Sequence, residues 1–207
     1  MQNINLQPGK FTIRMSHKSY FRSSGYVSEH IITTDSGETL NLAELPPFLR
    51  TLLVADGTVT KALEAWFWEP VKIAPLHNKL EQLTATIEGL EAGKGDRVLQ
   101  REVALKGKNT DRVYACARST VSLKHLPEKI CTALEAGRIG IGELLREQGF
   151  ETYRDIFNIN YLPEIPAEDS LLSLLSSEII SRSYRIRVSG NPAIIVTEYF
   201  PVQLHRK

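Results

Sequence analysis

Two predicted β-hairpins constrain the fold of this chain more than any other feature. Residues 97–123 consist of two alternating segments joined by the polar loop "KNTD", and residues 181–204 repeat the arrangement around the turn "GNP". Short polar or glycine-containing turns between alternating segments are typical of antiparallel hairpins. Regular β-α-β alternation is absent. The sequence therefore predicts an α+β fold, in which helices pack on an antiparallel β-sheet.

Helical patterns lie before and between the hairpins. Pro46 and Pro47 suit the start of a helix that continues with apolar residues, and Asp56 or Thr58 can cap a second helix. Two further helices are predicted between residues 125 and 149, the first of them ending at Gly137, and an alternating strand follows over 150–162. Residues 89–96, "GLEAGKGD", read as a flexible loop and are a candidate lid.

Length and charge limit the classes of protein to consider. The 207 residues suffice for one domain. We predict a single domain over residues 45–207, with residues 1–44 as an N-terminal extension packed on or flanking it. The net charge of +1 argues against a broad electrostatic surface for nucleic acid or an anionic membrane.

Cysteine and histidine usage argues against metal and disulfide chemistry. Cys116 and Cys131 do not form a C-x-x-C pair, and the five histidines are scattered along the chain. We therefore expect neither a zinc site nor a disulfide framework. The first residues lack the pattern of a signal peptide, and no window approaches 18 apolar residues. The expected location is the cytoplasm.

Two predicted strands each carry one charged residue in an otherwise apolar row. Successive side chains of a strand alternate between faces, so residues two apart share a face. Arg101 lies in a row with Leu99, Val103 and Leu105, and Glu198 lies in a row with Ile194, Val196 and Phe200. The opposite row of the first strand, which contains Glu102 and Lys106, is expected to face solvent.

A buried ion without a partner costs several kcal/mol, so these positions need an explanation. In one interpretation Arg101 and Glu198 pair as a structural salt bridge, or a bulge turns one of them outward. In the other, both line an internal cavity that binds a polar ligand. There the arginine would bind a carboxylate, and the glutamate, beside apolar walls, would suit proton transfer or hydroxyl binding.

Five segments carry a resemblance to a known family. "LLVADGTVTKALEA", "LQREVAL", "YACARSTV", "RIGIGELL" and "YRIRVSGNPAIIVTEYFP" occur in the order seen in chorismate pyruvate-lyases. The likeness spans about residues 45–201. The last segment is also similar to ligand-binding domains of transcription regulators that share the fold. Residues 1–44 are too short and too polar for the DNA-binding helix-turn-helix of such regulators, which favours the enzyme.

The resemblance implies a sheet with packed helices and an internal ligand cavity, the chorismate lyase-like fold. It implies a lyase that removes pyruvate from chorismate and leaves 4-hydroxybenzoate for quinone or secondary-metabolite synthesis, with no cofactor and no metal. Arg101 matches the arginine that holds the ring carboxylate, and Glu198 matches the glutamate next to the 4-hydroxyl group. Val59 and Ile141 match apolar positions that contact the ligand.

Chorismate carries a second carboxylate, so a second cation should meet it. Arg118, Arg154 and Arg182 are candidates without motif support, and the pattern around Arg118 and Arg154 is also that of arginines on a solvent face. The alternative function is a non-catalytic domain of the same fold that binds a small aromatic acid. Either way the expected partner is a small molecule and not a nucleic acid, and monomer and dimer both stay open.

Overall fold

The computed structural model describes residues 3–6, 11–14, 30–34, 37–137, 139–175 and 178–206. Its strands follow one another in runs that are separated by pairs of helices. The strands are β1 (Asn3–Leu6), β2 (Phe11–Arg14), β3 (Ile31–Thr33), β4 (Thr39–Asn41), β5 (Val71–Gln82), β6 (Arg97–Gly107), β7 (Val113–Ser122), β8 (Thr152–Leu162), β9 (Ile179–Val188) and β10 (Asn191–Pro201). The helices are α1 (Pro47–Val54), α2 (Val59–Phe67), α3 (Glu128–Glu135) and α4 (Ile141–Glu147).

An antiparallel sheet of six strands forms the centre of the domain, in the order β5-β6-β7-β10-β9-β8. Both predicted hairpins, β6–β7 and β9–β10, are present, and β10 pairs with β7 to join them. The four helices pack against one face, where the main apolar core lies. We call this the inner face. The predicted α+β class, an antiparallel sheet with packed helices, is confirmed.

The helix ends follow from local sequence. Pro47 occupies the first turn of α1, where its missing N–H costs nothing because that group would have no partner inside the helix. Gly137 lies just after α3 with a φ of +74°, a left-handed conformation that glycine adopts without steric strain. Both ends agree with the sequence prediction.

The opposite, outer face of the sheet is not a solvent face, which corrects the prediction for the alternate row of β6. Ala104 of that row is fully buried, in a cluster with Leu171, Leu172 and other apolar residues. The predicted lid, residues 89–96, packs on the same face, because Leu90 and Ala92 are fully buried in a cluster that includes the outward-facing Ile195. This loop therefore lies across the sheet from the inner face and cannot cover a cavity there.

Part of the predicted N-terminal extension is visible. Residues 30–34 and 37–44 form the β3–β4 pair and a short 3-10 helix, Leu42–Glu44. Ile32 and Leu42 are buried in the main core beside residues of the helices and sheet. The boundary at residue 44 stays a prediction.

A buried histidine near the C-terminus predicts a loss of stability in acid. His205 is 1% exposed, its ring lies 5.4 to 5.5 Å from the rings of Phe48 and Phe67, and burial lowers its pKa to about 4. An unfolded histidine titrates near pH 6.5, so the unfolded chain binds the extra proton between about pH 6.5 and 4. Stability is complete above this window and falls as the pH is lowered through it.

Replacement of His205 by leucine should remove this pH dependence. For the unmodified protein, we expect the free energy of unfolding to fall by about 2–3 kcal/mol between pH 7 and pH 4.5 from this group alone. Urea unfolding of the protein and of His205→Leu at both pH values measures the difference. His77→Ala, at an exposed position on β5, is the control and should leave the slope unchanged. An equal slope for His205→Leu and the unmodified protein would contradict the assignment.

Candidate functional site

An internal cavity lies between the inner face of the sheet and the two helical pairs. All six strands of the sheet contribute to its walls, and its rim is formed by the α1–α2 connection with the start of α2 and by the start of α4. Its volume is about 80 Å³. The four site residues predicted from the sequence all line it: Val59, Arg101, Ile141 and Glu198.

Arg101 is buried, and no carboxylate of the described residues serves as its counterion. It is 3% exposed, its Nη2 donates a hydrogen bond to the carbonyl oxygen of Ile139 at 3.1 Å, and its Nε has no hydrogen-bond partner within the described part of the chain. No carboxylate among the described residues forms a salt bridge with it. Burial lowers the pKa of the guanidinium to about 10, which still leaves it charged at neutral pH. Such a group is suited to receive an anionic ligand.

Glu198 has two partners on the neighbouring strand β9. One carboxylate oxygen, Oε2, accepts a hydrogen bond from Arg182 Nε at 2.8 Å, and Oε1 accepts one from the Tyr184 hydroxyl at 3.0 Å. Arg182 also donates from Nη1 to the carbonyl oxygen of Ala55 at 2.7 Å. Arg182 and Glu198 face each other directly in the antiparallel register.

The pKa values of this cluster follow from burial and mutual attraction. Burial is the largest influence and would lower the pKa of Arg182, but the attraction of Glu198, Tyr184 and Asp56 together outweighs it, so the pKa is raised. Burial, with a contribution from Glu198, raises the pKa of Tyr184, so its hydroxyl stays a donor. A carboxylate has about four lone-pair positions. Glu198 therefore keeps acceptor capacity toward the cavity that it lines.

Arg101 and Glu198 do not form the structural salt bridge that was one interpretation of the sequence. Arg101 faces Ser119 of β7, and Glu198 faces Ala117 of the same strand. The salt bridge of Glu198 is made with Arg182 instead. In the sequence Arg182 alternates with Tyr184 and Ile186, but this spacing does not say which row faces inward or which residues of β10 lie opposite.

Of the three arginines named as second cations, Arg154 lines the cavity. Arg182 stands beside Glu198 and is not among the lining residues. Arg118 lies on the outer face, with Nε 2.6 Å from Glu102 Oε1 and Nη2 2.6 Å from Asp169 Oδ1. The expected outward direction of Arg118 is right, but these carboxylates, not solvent, surround it.

Metal-ligand clusters and membrane-spanning helices are absent from the described part of the chain. Its histidine, cysteine and acidic side chains form no group of three or more that could hold a metal ion. None of its helices combines the length and the apolar character that a membrane span requires.

Comparisons with solved structures agree with this architecture. The crystal structure of PhnF from Mycobacterium smegmatis aligns with a TM-score of 0.55 at 12% identity, covering 72% of this chain and 66% of that chain. The separate effector domain of PhnF from the same organism aligns with a TM-score of 0.54 at 13% identity, covering 72% of this chain and 91% of the domain. The sheet, the packed helices and these likenesses define the fold as chorismate lyase-like.

Sequence comparisons then give the family. The family described as "Chorismate pyruvate-lyase Rv2949c-like" matches residues 53–207. A chorismate pyruvate-lyase of Mycobacterium leprae is 31% identical over 154 residues, which are 73% of each chain. One of Mycobacterium tuberculosis is 28% identical over 158 residues, covering 73% of this chain and 78% of that protein. This chain belongs to the Rv2949c-like family of chorismate pyruvate-lyases, which confirms the resemblance seen in its motifs.

Proposed function

We propose that this protein is a chorismate pyruvate-lyase that eliminates pyruvate from chorismate to give 4-hydroxybenzoate, a precursor for quinone or secondary-metabolite synthesis. The observation that carries the proposal is the buried guanidinium of Arg101, which has no counterion in the described chain and lines the same cavity as Glu198. In this proposal Arg101 holds the ring carboxylate. Glu198 lies at the 4-hydroxyl group.

The reaction requires little covalent chemistry from the protein. The ring loses a proton from C4, the C3–O bond to the enolpyruvyl group breaks, and the ring becomes aromatic. The released enolpyruvate takes up a proton at its methylene carbon and becomes pyruvate, so the protons balance. The gain in aromaticity drives the step. The protein contributes a reactive conformer, exclusion of water and help with proton movement.

The surroundings of Glu198 suit it to bind the 4-hydroxyl group and to help with proton movement. Arg182 and Tyr184 fix both carboxylate oxygens, so the group cannot rotate freely. Its remaining lone pairs accept a hydrogen bond from the substrate hydroxyl and accept or relay a proton. Val59 and Ile141, at the rim of the same cavity, supply apolar contact to the ring.

A non-catalytic domain that binds a small aromatic acid is the alternative. It would use Arg101 and Glu198 in the same way but would not break the C3–O bond. Purified protein mixed with chorismate distinguishes the two functions. Release of pyruvate together with an equal amount of 4-hydroxybenzoate supports the lyase. Binding of 4-hydroxybenzoate without pyruvate release supports the alternative.

Substitution of Glu198 by glutamine should separate binding from turnover. Glutamine keeps the shape and an acceptor oxygen but loses the charge that orients the hydroxyl group and accepts the proton. We expect affinity for 4-hydroxybenzoate within about threefold of the unmodified protein and kcat reduced about 10²- to 10⁴-fold. Isothermal titration and pyruvate release measure the two quantities.

The matched control for Glu198→Gln is Glu102→Gln. Glu102 also accepts a hydrogen bond from an arginine, Arg118, but lies on the outer face of the sheet. Its substitution should leave kcat unchanged. An unchanged kcat in Glu198→Gln would remove Glu198 from the mechanism.

A further inference from the structure

Arg154 is held at the cavity by its contacts with both rim segments. Its side chain is 12% exposed, and its Nη1 donates a hydrogen bond to the carbonyl oxygen of Asp56 at 2.8 Å, in the α1–α2 connection. A Cβ added at Gly142, in α4, would lie 3.1 Å from Arg154 Nη2. The buried Nε has no hydrogen-bond partner among the described residues. The guanidinium is therefore positioned between the two rim segments with donor capacity left over.

The charge of Arg154 is weakly compensated compared with that of its neighbours. Its nearest carboxylate, Asp56 Oδ1, lies 3.7 Å away, and the Asp56 side chain is 69% exposed, so water screens the pair. By contrast, Arg118, Arg182 and Arg185 each have a carboxylate oxygen within 2.6 to 2.8 Å. Arg101 and Arg154 lack so close a partner in the described chain, and both line the cavity.

The two carboxylates that line the cavity do not cancel these cations. Glu198 is neutralised by Arg182. Glu143, at the rim, forms no salt bridge with Arg101 or Arg154 within the described part of the chain. The cavity thus presents two guanidinium groups with unused donors, one on β6 and one on β8.

We infer that Arg154 binds a second carboxylate of the ligand, so that the cavity selects a ring acid with two carboxylates over one with a single carboxylate. The identity of this ligand rests on the proposed function. If that function holds, the second carboxylate is that of the enolpyruvyl group of chorismate. It leaves with pyruvate, and the aromatic product keeps only the carboxylate at Arg101. Arg154 would then be a specificity-determining residue that favours substrate over product.

The inference predicts a selective loss of affinity in Arg154→Met. The probes are 3-(carboxymethoxy)-4-hydroxybenzoate, a stable dianion, and 4-hydroxybenzoate, a monoanion. A charge-assisted interaction of this kind corresponds to about a 10- to 100-fold change in affinity. We expect the Kd of the dianion to rise by that factor and the Kd of the monoanion to change less than about twofold. Arg154→Lys, which keeps a charge, should recover part of the affinity for the dianion.

The matched control is Arg185→Met. Arg185 has a similarly buried side chain and a carboxylate partner, Asp155, but lies on the outer face of the sheet. It should bind both probes as the unmodified protein does. Gly142→Ala provides a second test that keeps Arg154, because the new methyl group crowds Nη2 while alanine suits a helix. It should weaken binding of the dianion more than that of the monoanion.

Isothermal titration of both probes decides the inference independently of catalysis. An equal loss of affinity for the two probes in Arg154→Met, or no loss of affinity for the dianion, would overturn the inference. If Arg154→Met does not fold, the selectivity of Gly142→Ala decides. A protein that does not cleave chorismate but loses its preference for the dianion in these variants would refute the proposed function and keep the inference. Cleavage of chorismate with a KM that is unchanged in Arg154→Met would support the proposed function and refute the inference.

Discussion

Arg101→Met is expected to abolish turnover and to make the unliganded protein more stable. The guanidinium is buried in the cavity wall with no counterion in the described chain, and methionine has a similar length without the charge. Removing an uncompensated buried charge should raise the free energy of unfolding by about 1–2 kcal/mol, or Tm by about 2–8 °C for a chain of this size. The same change removes the group proposed to bind the ring carboxylate, so we expect kcat/KM to fall at least about 10³-fold.

Thermal unfolding with and without 4-hydroxybenzoate tests both halves of this prediction. The ligand should raise the Tm of the unmodified protein by mass action and leave that of Arg101→Met unchanged. Arg185→Met again serves as the control on the outer face. A stabilised variant that still binds the ligand would show that Arg101 is not the anion site, and a strongly destabilised variant would show that its charge is compensated.

Arg182→Met should have the opposite effect on stability, although Arg182 is buried just as deeply. Its side chain is fully buried and donates hydrogen bonds to Glu198 and to the Ala55 carbonyl. Its removal leaves the Glu198 carboxylate buried beside Tyr184 without a cation. We expect the free energy of unfolding to fall by about 3–5 kcal/mol. Catalysis should also fail, because the Glu198 carboxylate then loses the arginine that fixes its Oε2.

A double-mutant cycle with Glu198→Met isolates the ion pair. If Arg182→Met loses stability because the Glu198 carboxylate is left without a cation, then removing both charges together should restore most of the free energy of unfolding. Urea unfolding of the two single variants and the double variant gives the coupling free energy. Additive losses would mean that the arginine stabilises through packing rather than through Glu198.

The sequence was most informative where periodicity decides the outcome. Alternation placed Arg101 and Glu198 in apolar rows, and both residues line one cavity in the structure. It also placed Arg182 in the row of Tyr184 and Ile186. Which rows face one another depends on the register between strands, which a strand pattern alone does not contain.

A β-bulge explains why the partner of Glu198 could not be read from the hairpin. The turn pairs Val188 with Asn191, and continuing that register would set Arg182 opposite Thr197. The register shifts by one residue between Pro192 and Ile194, so that Arg182 meets Glu198 instead. Nothing in "GNPAII" marks this extra residue unambiguously.

Sequence reasoning also missed the segments that pack on the outer face of the sheet. Leu90 lies in the segment that reads as a flexible loop, and Leu172 lies between the predicted strand over 150–162 and the second hairpin. Their tertiary packing is stabilised by long-range contacts, such as that between Arg118 and Asp169, which precedes Leu172. Contacts between residues so far apart in the chain leave no periodic trace in the sequence.

Three guanidinium groups connect the sheet to the backbone around the entrance. Arg101 bonds to the carbonyl of Ile139, Arg182 to that of Ala55 and Arg154 to that of Asp56. Each arginine has five N–H donors, so Arg101 and Arg154 can hold a carbonyl and an incoming anion together. An acid bound between them would link the inner face of the sheet to both rim segments through its two carboxylates. Dissociation of the ligand would then require its interactions with Arg101 and Arg154 to break at the same time.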